Sequence, residues 1–573
     1  MNRLLALSYV PNIGMSKEGG RGVMEKLWAG FFLAMLFFLL VLPTSVSVNR
    51  PGFDSFSSGF MEQSSVDWWP MFRHDLNHTG HSTSTAPSTN STMWNYTTGW
   101  YVFSSPAVAD GKVFVGSNDC KVYALNVSNG KQLWNYTTGG YVGYSLSFTD
   151  GKVFVGSLDG NVYALNASTG TQIWNYTTGG EVWSSPAVAD GKVFIGSHDY
   201  NVYALNATNG AYIWNYTTGG EVLSSPAVVD GKVFVGSQDY NVYALNASTG
   251  EQVWVYTTDA VVRSSPAVAN GIVFVGSYDC NIYALNASSG ARVWNYTTDS
   301  AVHSSPAVAN GIVFVGSRDW NVYALNASTG ARIWNYTTGG EVWSSPAVAD
   351  GKVFIGSHDY NVYALNASTG ARVWKYRTGW YVFSSPAVAD GLVFVGSYDY
   401  RVYAFGVHDL AITGVKPNKT VVGQSCTMAL AINATNQGGY TETFNITAYA
   451  NTTIIQTETI TLTGGNCATI TFTWNTAGVA KGNYIISAIA LPVLGEADTA
   501  DNTCVDGWVR ITILGDVNGD NVVNILDAIK LASAFGSYPG HPHWNPNADL
   551  NDDGRVNILD AIILAGHFGQ KWL

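Results

Sequence analysis

Positive charge is scarce in this chain: 28 Lys and Arg stand against 40 Asp and Glu in 573 residues, for a net charge of −12. No basic stripe is available to neutralise phosphates, which argues against a nucleic-acid partner. Charge of either sign is thin, at 12% of residues, while glycine (61) and aromatics (13%) are plentiful. That balance suits an all-β protein rich in turns. Cysteine is scarcer still. Cys120, Cys280, Cys426, Cys467 and Cys504 are too few and too scattered for a disulfide scaffold or a zinc site, and no CxxC occurs. Their odd number leaves one unpaired, and a Cys426–Cys467 bridge is a pairing left open.

The apolar run LWAGFFLAMLFFLLVLP, Leu27 to Pro43, follows Arg21 and Lys26 and precedes TSVSV. It reads as a secretory signal, with an uncleaved membrane anchor as the alternative. Sequons fit export: six in WNYT, seven in NAS, NVS or NAT, and six more at Asn77, Asn90, Asn418, Asn433, Asn445 and Asn451.

Eight tryptophans, Trp94, Trp134, Trp174, Trp214, Trp254, Trp294, Trp334 and Trp374, stand forty residues apart. A unit of that length cannot bury its own faces and must stack on neighbours or close a ring. Within it, EVWSSPAVA, KVFIGS, NVYALN and ARIWNYTT read as four strands separated by turn signals, the content of a propeller blade. Eight first strands face only seven outer strands that follow an Asn-x-x-x-Gly turn. Trp94–Thr98 should therefore complete the last blade, whose third strand ends at Ala404, giving eight blades from about Met93 to Phe405.

The segment ALNASTGARIW, Ala324–Trp334, resembles the tryptophan-docking motif of pyrroloquinoline-quinone-type propellers, and seven copies fit it. The resemblance implies that each tryptophan packs on the neighbouring blade. WWPMFRHDLNHTG, Trp68–Gly80, also resembles the lead-in to such propellers. Quinoprotein dehydrogenases, as the resemblance implies, interrupt their repeats with a catalytic acid, calcium ligands and often adjacent cysteines. No blade here carries such an insertion, so neither catalytic residues nor a bound quinone are expected.

The repeats disagree in two places on one rim: the approach to the first strand and the second hairpin. This rim carries Trp100, Tyr101, Phe103, Tyr144, Trp183, Tyr200, Tyr240, Arg263, His303, Trp320, Trp343, Tyr360, Trp380 and Tyr381, and no sequon. An aromatic, sugar-free rim is how a glycan- or protein-binding face would look, with Trp100, Trp183, Trp320, Trp343 and Trp380 as contacts. Drift in solvent loops is the competing account. The Asp of each second hairpin, as at Asp119, Asp199, Asp279 and Asp399, suits a turn brace better than a metal ring. Cys120 and Cys280 should face each other across the ring.

From about Val407 the repeat gives way to alternating runs such as TMALAINATN and ATITFTWN, a β-sandwich pattern. HDLAITGV, NQGGYTETFNITAYAN and ATITFTWNTAGVAKGNYIISAIA resemble the cell-adhesion-related family CARDB, an immunoglobulin-like module. The tail holds two twelve-residue calcium loops, DVNGDNVVNILD and DLNDDGRVNILD. Asp516, Asn518, Asp520, Val522 (carbonyl), Asn524 and Asp527, then Asp549, Asn551, Asp553, Arg555 (carbonyl), Asn557 and Asp560, occupy EF-hand positions 1, 3, 5, 7, 9 and 12. With AIKLASAFG and AIILAGHFG after them, these loops resemble a type I dockerin. That resemblance implies two calcium ions and a cohesin-like partner meeting Ile525, Leu526, Ile558 and Leu559, where dockerins often carry a small polar pair.

The expected organisation is a signal or anchor (1–48), a linker and lead-in (49–92), an eight-bladed propeller (93–406), an immunoglobulin-like domain (407–513) and a small α-helical dockerin (514–573). The expected protein is an extracellular or cell-surface, non-catalytic scaffold or binding protein. A hydrolytic subunit of a polysaccharide-degrading complex is the alternative, and a quinone-dependent dehydrogenase a third reading.

Overall fold

The computed structural model describes residues 67–493, 496 and 498–572. The expected signal or anchor (1–48) and the first part of the linker (49–66) lie outside the described residues. Among the described residues no helix is long and apolar enough to cross a membrane.

The repeats form four-stranded antiparallel sheets, eight in all among the described residues. One is built from Ala187–Ala189, Lys192–Gly196, Asn201–Asn206 and Tyr212–Thr217. Its first hairpin turns on Asp190 and Gly191, with φ of 48° and 70°, the left-handed pair that matches strand twist in a tight hairpin. The strand Thr92–Thr97 pairs antiparallel with Arg401–Phe405, so the first strand of the array completes the last sheet.

The first strand of each unit is shorter than the sequence pattern predicts. EVWSSPAVA supplies only Ala187–Ala189 to the ladder, because the backbone before it is engaged elsewhere. Val222 N–H, for instance, donates to Ser197 O of the preceding sheet at 3.1 Å.

Each repeat tryptophan holds two sheets together. Trp294 Nε1 donates to Ala327 O at 2.9 Å, and its ring lies so close to Gly330 that an added Cβ would stand 2.7 Å from Cδ2. Gly330 also has φ of 71°, so two constraints select glycine there. The indole lies 5.8 Å from Phe274 of its own sheet, and mixed clusters of this kind fill each gap between sheets. The last tryptophan has no further turn to dock on: Trp374 Nε1 donates to Pro87 O of the lead-in, at 3.0 Å.

Beyond the array, a three-stranded sheet (Leu410–Pro417, Thr427–Asn436, Cys467–Asn475) and a five-stranded sheet share a core that includes Leu430, Ile432, Phe444, Phe472 and Ile486. All five cysteines are free. The open Cys426–Cys467 pairing fails for a reason of register. Thr427 faces Asn475 and Thr435 faces Cys467, so the two thiols sit at opposite ends of one strand pair, about 30 Å apart at ~3.4 Å per residue. The tail contributes helices α1 (Ile525–Ser533) and α2 (Ile558–His567).

Trp294→Ala should destabilise the array by about 3–5 kcal/mol, through lost burial and an orphaned Ala327 carbonyl. Denaturant unfolding followed by tryptophan fluorescence checks this. A variant within 1 kcal/mol of wild type, on the order of an ordinary surface change, would contradict the docking role.

Candidate binding funnel and calcium loops

The axis of the array is lined by one serine per repeat. Ser145 N–H donates to Ser185 Oγ at 3.1 Å, and the same bond repeats through Ser225, Ser265, Ser305, Ser345 and Ser385 to Ser105. Each hydroxyl from Ser185 round to Ser105 satisfies a buried backbone donor of the adjoining unit, which would otherwise cost about 1–3 kcal/mol.

One end of this channel is closed by the lead-in. Carbonyls of Trp69, Pro70, Leu76, Asn77, Thr79 and Gly80 accept in turn from N–H groups of Val108, Phe148, Val228, Val268, Val308 and Val348. Arg73, 1% exposed, donates to Pro346 O and, at 2.7 Å, to Pro306 O, while His78 Nδ1 lies 3.1 Å from Pro266 O. Burial presses the Arg73 guanidinium down to about 9, despite nearby Asp75. His78, equally enclosed, is pushed down to about 4. Both are plug residues. Sequence reasoning passed over them, although the fixed Ser-Pro of most repeats was a signal that something reads those proline carbonyls.

The other end opens through rings of unlike side chains. Two residues before each ring serine stand Phe103, Gly143, Trp183, Leu223, Arg263, His303, Trp343 and Phe383. Trp183 and Trp343 were expected on the variable rim, and the structure turns both toward the channel axis. Trp343 lines the central cavity with Arg263, His303 and Phe383, and Trp183 lies against Tyr144, ring centroids 5.6 Å apart. Their indoles donate to Glu181 and Glu341, each at 2.6 Å. The inward turn follows from the Ser-Ser segment leaving its own ladder to bond the neighbouring unit. Trp100, Trp320 and Trp380 do remain on the rim, 46%, 50% and 48% exposed.

The funnel is lopsided. On one side Trp100 lies flat on Tyr400 (15°, 5.7 Å), Tyr101 on Tyr398 (22°, 4.6 Å) and Phe103 on Phe383 (26°, 5.3 Å), an aromatic arc running from rim to channel. On the other, Arg318 pairs with Glu341 at 3.2 Å and stands 5.1 Å over Trp343, while Arg263 stands 5.4 Å over Tyr278. Burial, with Arg263 and Arg318 nearby, lowers His303 to about 3, so it is neutral at neutral pH. The second-hairpin aspartates are turn braces: Asp199 accepts from Gly179 N, Asn201 N and Tyr203 Oη at 2.7, 3.0 and 2.6 Å.

In the tail, oxygens of Asp516, Asp520 and Asp527 lie within 4.8 Å of one another, about twice a calcium–oxygen bond of ~2.4 Å. Burial raises the Asp527 carboxyl, and Asp516 beside it adds to the rise, a repulsion that a bound cation relieves. Asp516 is held by N–H groups of Gly519, Asp520 and Asn521, and Asp527 by those of Val517, Asn518 and Asn524. Asn518 bonds Asp520, and Val522 follows it with its N–H on the same carboxylate. In the second loop Asp549 accepts from Asp553 N and Gly554 N, Asp553 from Arg555 N, and Asp560 from Leu550, Asn551 and Asn557 N–H groups. Among the described residues its three carboxylates do not converge as closely. Asn524 and Asn557 also cap α1 and α2, with Asp527 and Asp560 closing the capping boxes. Ile525, Leu526, Ile558 and Leu559 are 51–55% exposed, and one helical turn on Ile529 and Ile562, which sequence reasoning omitted, are 53% and 61% exposed.

Comparison with known proteins follows this division. The family model described as outer membrane protein assembly factor BamB matches residues 78–147, 138–265, 257–342 and 321–413, and the dockerin type I domain model matches 514–568. No curated protein sequence matches the chain. Among solved structures, BamB from Moraxella catarrhalis is 17% identical with TM-score 0.50, over 55% of this chain and 99% of its own. A quinohemoprotein alcohol dehydrogenase from Comamonas testosteroni is 16% identical with TM-score 0.52, over 59% of this chain and 80% of its own. The computationally designed Ika8 protein is 18% identical with TM-score 0.50, over 55% of this chain and 98% of its own. These likenesses show a shared propeller-like fold and nothing of its use.

The plug has a pH signature. His74 is buried, which opposes its charge, yet Asp67 (3.0 Å) and Asp75 (3.5 Å) raise it from 6.5 to about 9. Its stabilising contribution is therefore full below about pH 6.5 and fades as pH rises through about 9. The melting-temperature gap between wild type and His74→Gln should be widest near pH 6 and closed by about pH 10; an unchanging gap would contradict the pairing.

Proposed function

From the premise that the chain belongs, across residues 78–413, to the propeller-repeat family PQQ_2, described as outer membrane protein assembly factor BamB, we propose a secreted or cell-surface, non-catalytic binding protein. In this reading an eight-bladed propeller (93–406) presents the aromatic funnel to a glycan or protein. An immunoglobulin-like spacer of CARDB type (407–513) follows, and a calcium-ordered dockerin (514–573) docks the whole to a cohesin-like partner. The observation that carries the docking half is the duplicated exposed face: Ile525, Leu526 and Ile529 on α1 have counterparts Ile558, Leu559 and Ile562 on α2, all more than half exposed. An apolar set repeated at i, i+1 and i+4 beside each calcium loop is a surface suited to one partner taken in either of two orientations.

The funnel is read as a binding surface because its aromatic arc offers flat faces for stacking. The central cavity is lined by serine hydroxyls, aromatics, Arg263 and His303, a different set from the paired carboxylates of glycoside hydrolysis. The dockerin match and the apolar run at Leu27–Pro43 support export.

Removing calcium with a chelator should abolish the helical circular-dichroism signal of the tail and the capture of a type I cohesin, leaving propeller unfolding unchanged. A tail indifferent to chelation would overturn the assignment. Because the two helix faces are alike, Ile558→Asp alone should leave most cohesin binding. Ile525→Asp combined with Ile558→Asp should weaken it at least ~100-fold, about 2.8 kcal/mol. Calorimetric titration reads both, and a double variant that binds like wild type would contradict the paired-face reading.

A further inference from the structure

The cavity at the channel centre has a volume of about 60 Å³, room for several waters at ~10–15 Å³ each on that measure. Its lining includes Arg263, His303 and Tyr144, and no carboxylate. The polar groups of these three side chains are largely unspent. Arg263 Nε is buried without a partner, its Nη2 reaches the neutral Gln238 Oε1 at 3.3 Å, and its guanidinium lies 5.4 Å over the Tyr278 ring, with no carboxylate paired to it among the described residues. Arg318, by contrast, is paired with Glu341. Neither the Tyr144 hydroxyl nor the His303 ring has a hydrogen-bond partner among the described residues. Tyr144 stands where the other repeats have serine, so a long phenol is placed in the cavity at a single point of the ring. Phe103, Tyr144, Arg263, His303 and Trp343 are all half-exposed, so solvent enters from the open end, while Arg73 and the lead-in block the other.

We propose that this cavity is a carboxylate subsite: Arg263 neutralises the anion, Tyr144 and His303 donate to it, and the group that bears it rises toward the aromatic arc. A guanidinium with no carboxylate partner, beside two neutral donors, fits a planar anion and disfavours a cation. A carboxylate held at Arg263 carries its sugar ring toward the open end, where Phe103 and Phe383 lead to Tyr101 and Trp100. The inference rests on the glycan reading of the funnel and gives it a chemical class, the uronate end of an acidic oligosaccharide. A free small carboxylate is the other source of the same chemistry.

The test is calorimetric titration of the full calcium-loaded chain with an oligouronate, the same oligomer with its carboxyls reduced to alcohols, and glucuronate alone. The oligouronate should bind at least tenfold tighter than its reduced form. Arg263→Gln should remove that preference while leaving the reduced oligomer's affinity unchanged, and Trp100→Ala should weaken both oligomers alike. Tyr144→Phe, a change of one oxygen, should lower the preference severalfold and serves if Arg263→Gln fails to fold. Glucuronate binding as tightly as the oligouronate identifies the small acid as the ligand and supports the subsite. Equal binding of acidic and reduced oligomers, or a preference untouched by Arg263→Gln and Tyr144→Phe, overturns the subsite and leaves the glycan reading standing. No binding of any of the three overturns both.

Discussion

The chain of serine hydrogen bonds around the axis, continuous but for the Ser105–Ser145 step, is the constraint on which the rest depends. Seven links from Ser145 round to Ser105 fix the spacing of the units at their narrowest point, and the tryptophans fix it again farther out through bonds such as Trp134 to Ala167 O. With the radius set at two depths, every unit delivers the same backbone to the axis. The side chain two residues before each serine is then free to differ, and that freedom makes a lopsided funnel from near-identical repeats.

The same geometry explains why the plug is polar. A ring of Ser-Pro segments points carbonyls toward the axis, and these need donors once water is excluded. Arg73 supplies two from a single guanidinium, and His78 approaches a third. The lead-in thus seals the channel by satisfying acceptors as well as by filling space with Phe72, and leaves the opposite mouth as the approach to the cavity.

Legibility in the sequence divided along physical lines. The strands and the closure by Thr92–Thr97 were readable because Trp, Gly and the Asp-Gly turns do one job each at a fixed period. The dockerin was readable because oxygen-bearing side chains recur at set positions in its two loops. The inward turn of Trp183 and Trp343 was not, since EVWSSPAVA looks like an unbroken strand until the Ser-Ser backbone is seen bonding its neighbour. The Cys426–Cys467 pairing failed because sequence distance says nothing of register. Ile529 and Ile562 were missed because the loop pattern ends before the helical turn that exposes them.

The pairing of Thr92–Thr97 with Arg401–Phe405 also sets an order of events during synthesis. Roughly 300 residues must be made between the two partners, ~15–60 s at the ~5–20 residues per second of translation. Through that interval the first strand has no ladder, Trp374 has no Pro87 carbonyl within a closed ring, and the terminal serine link waits. The array therefore stays an open arc with two bare sheet edges until almost the whole propeller has emerged, and it closes in a late step that the first and last strands of the array make together.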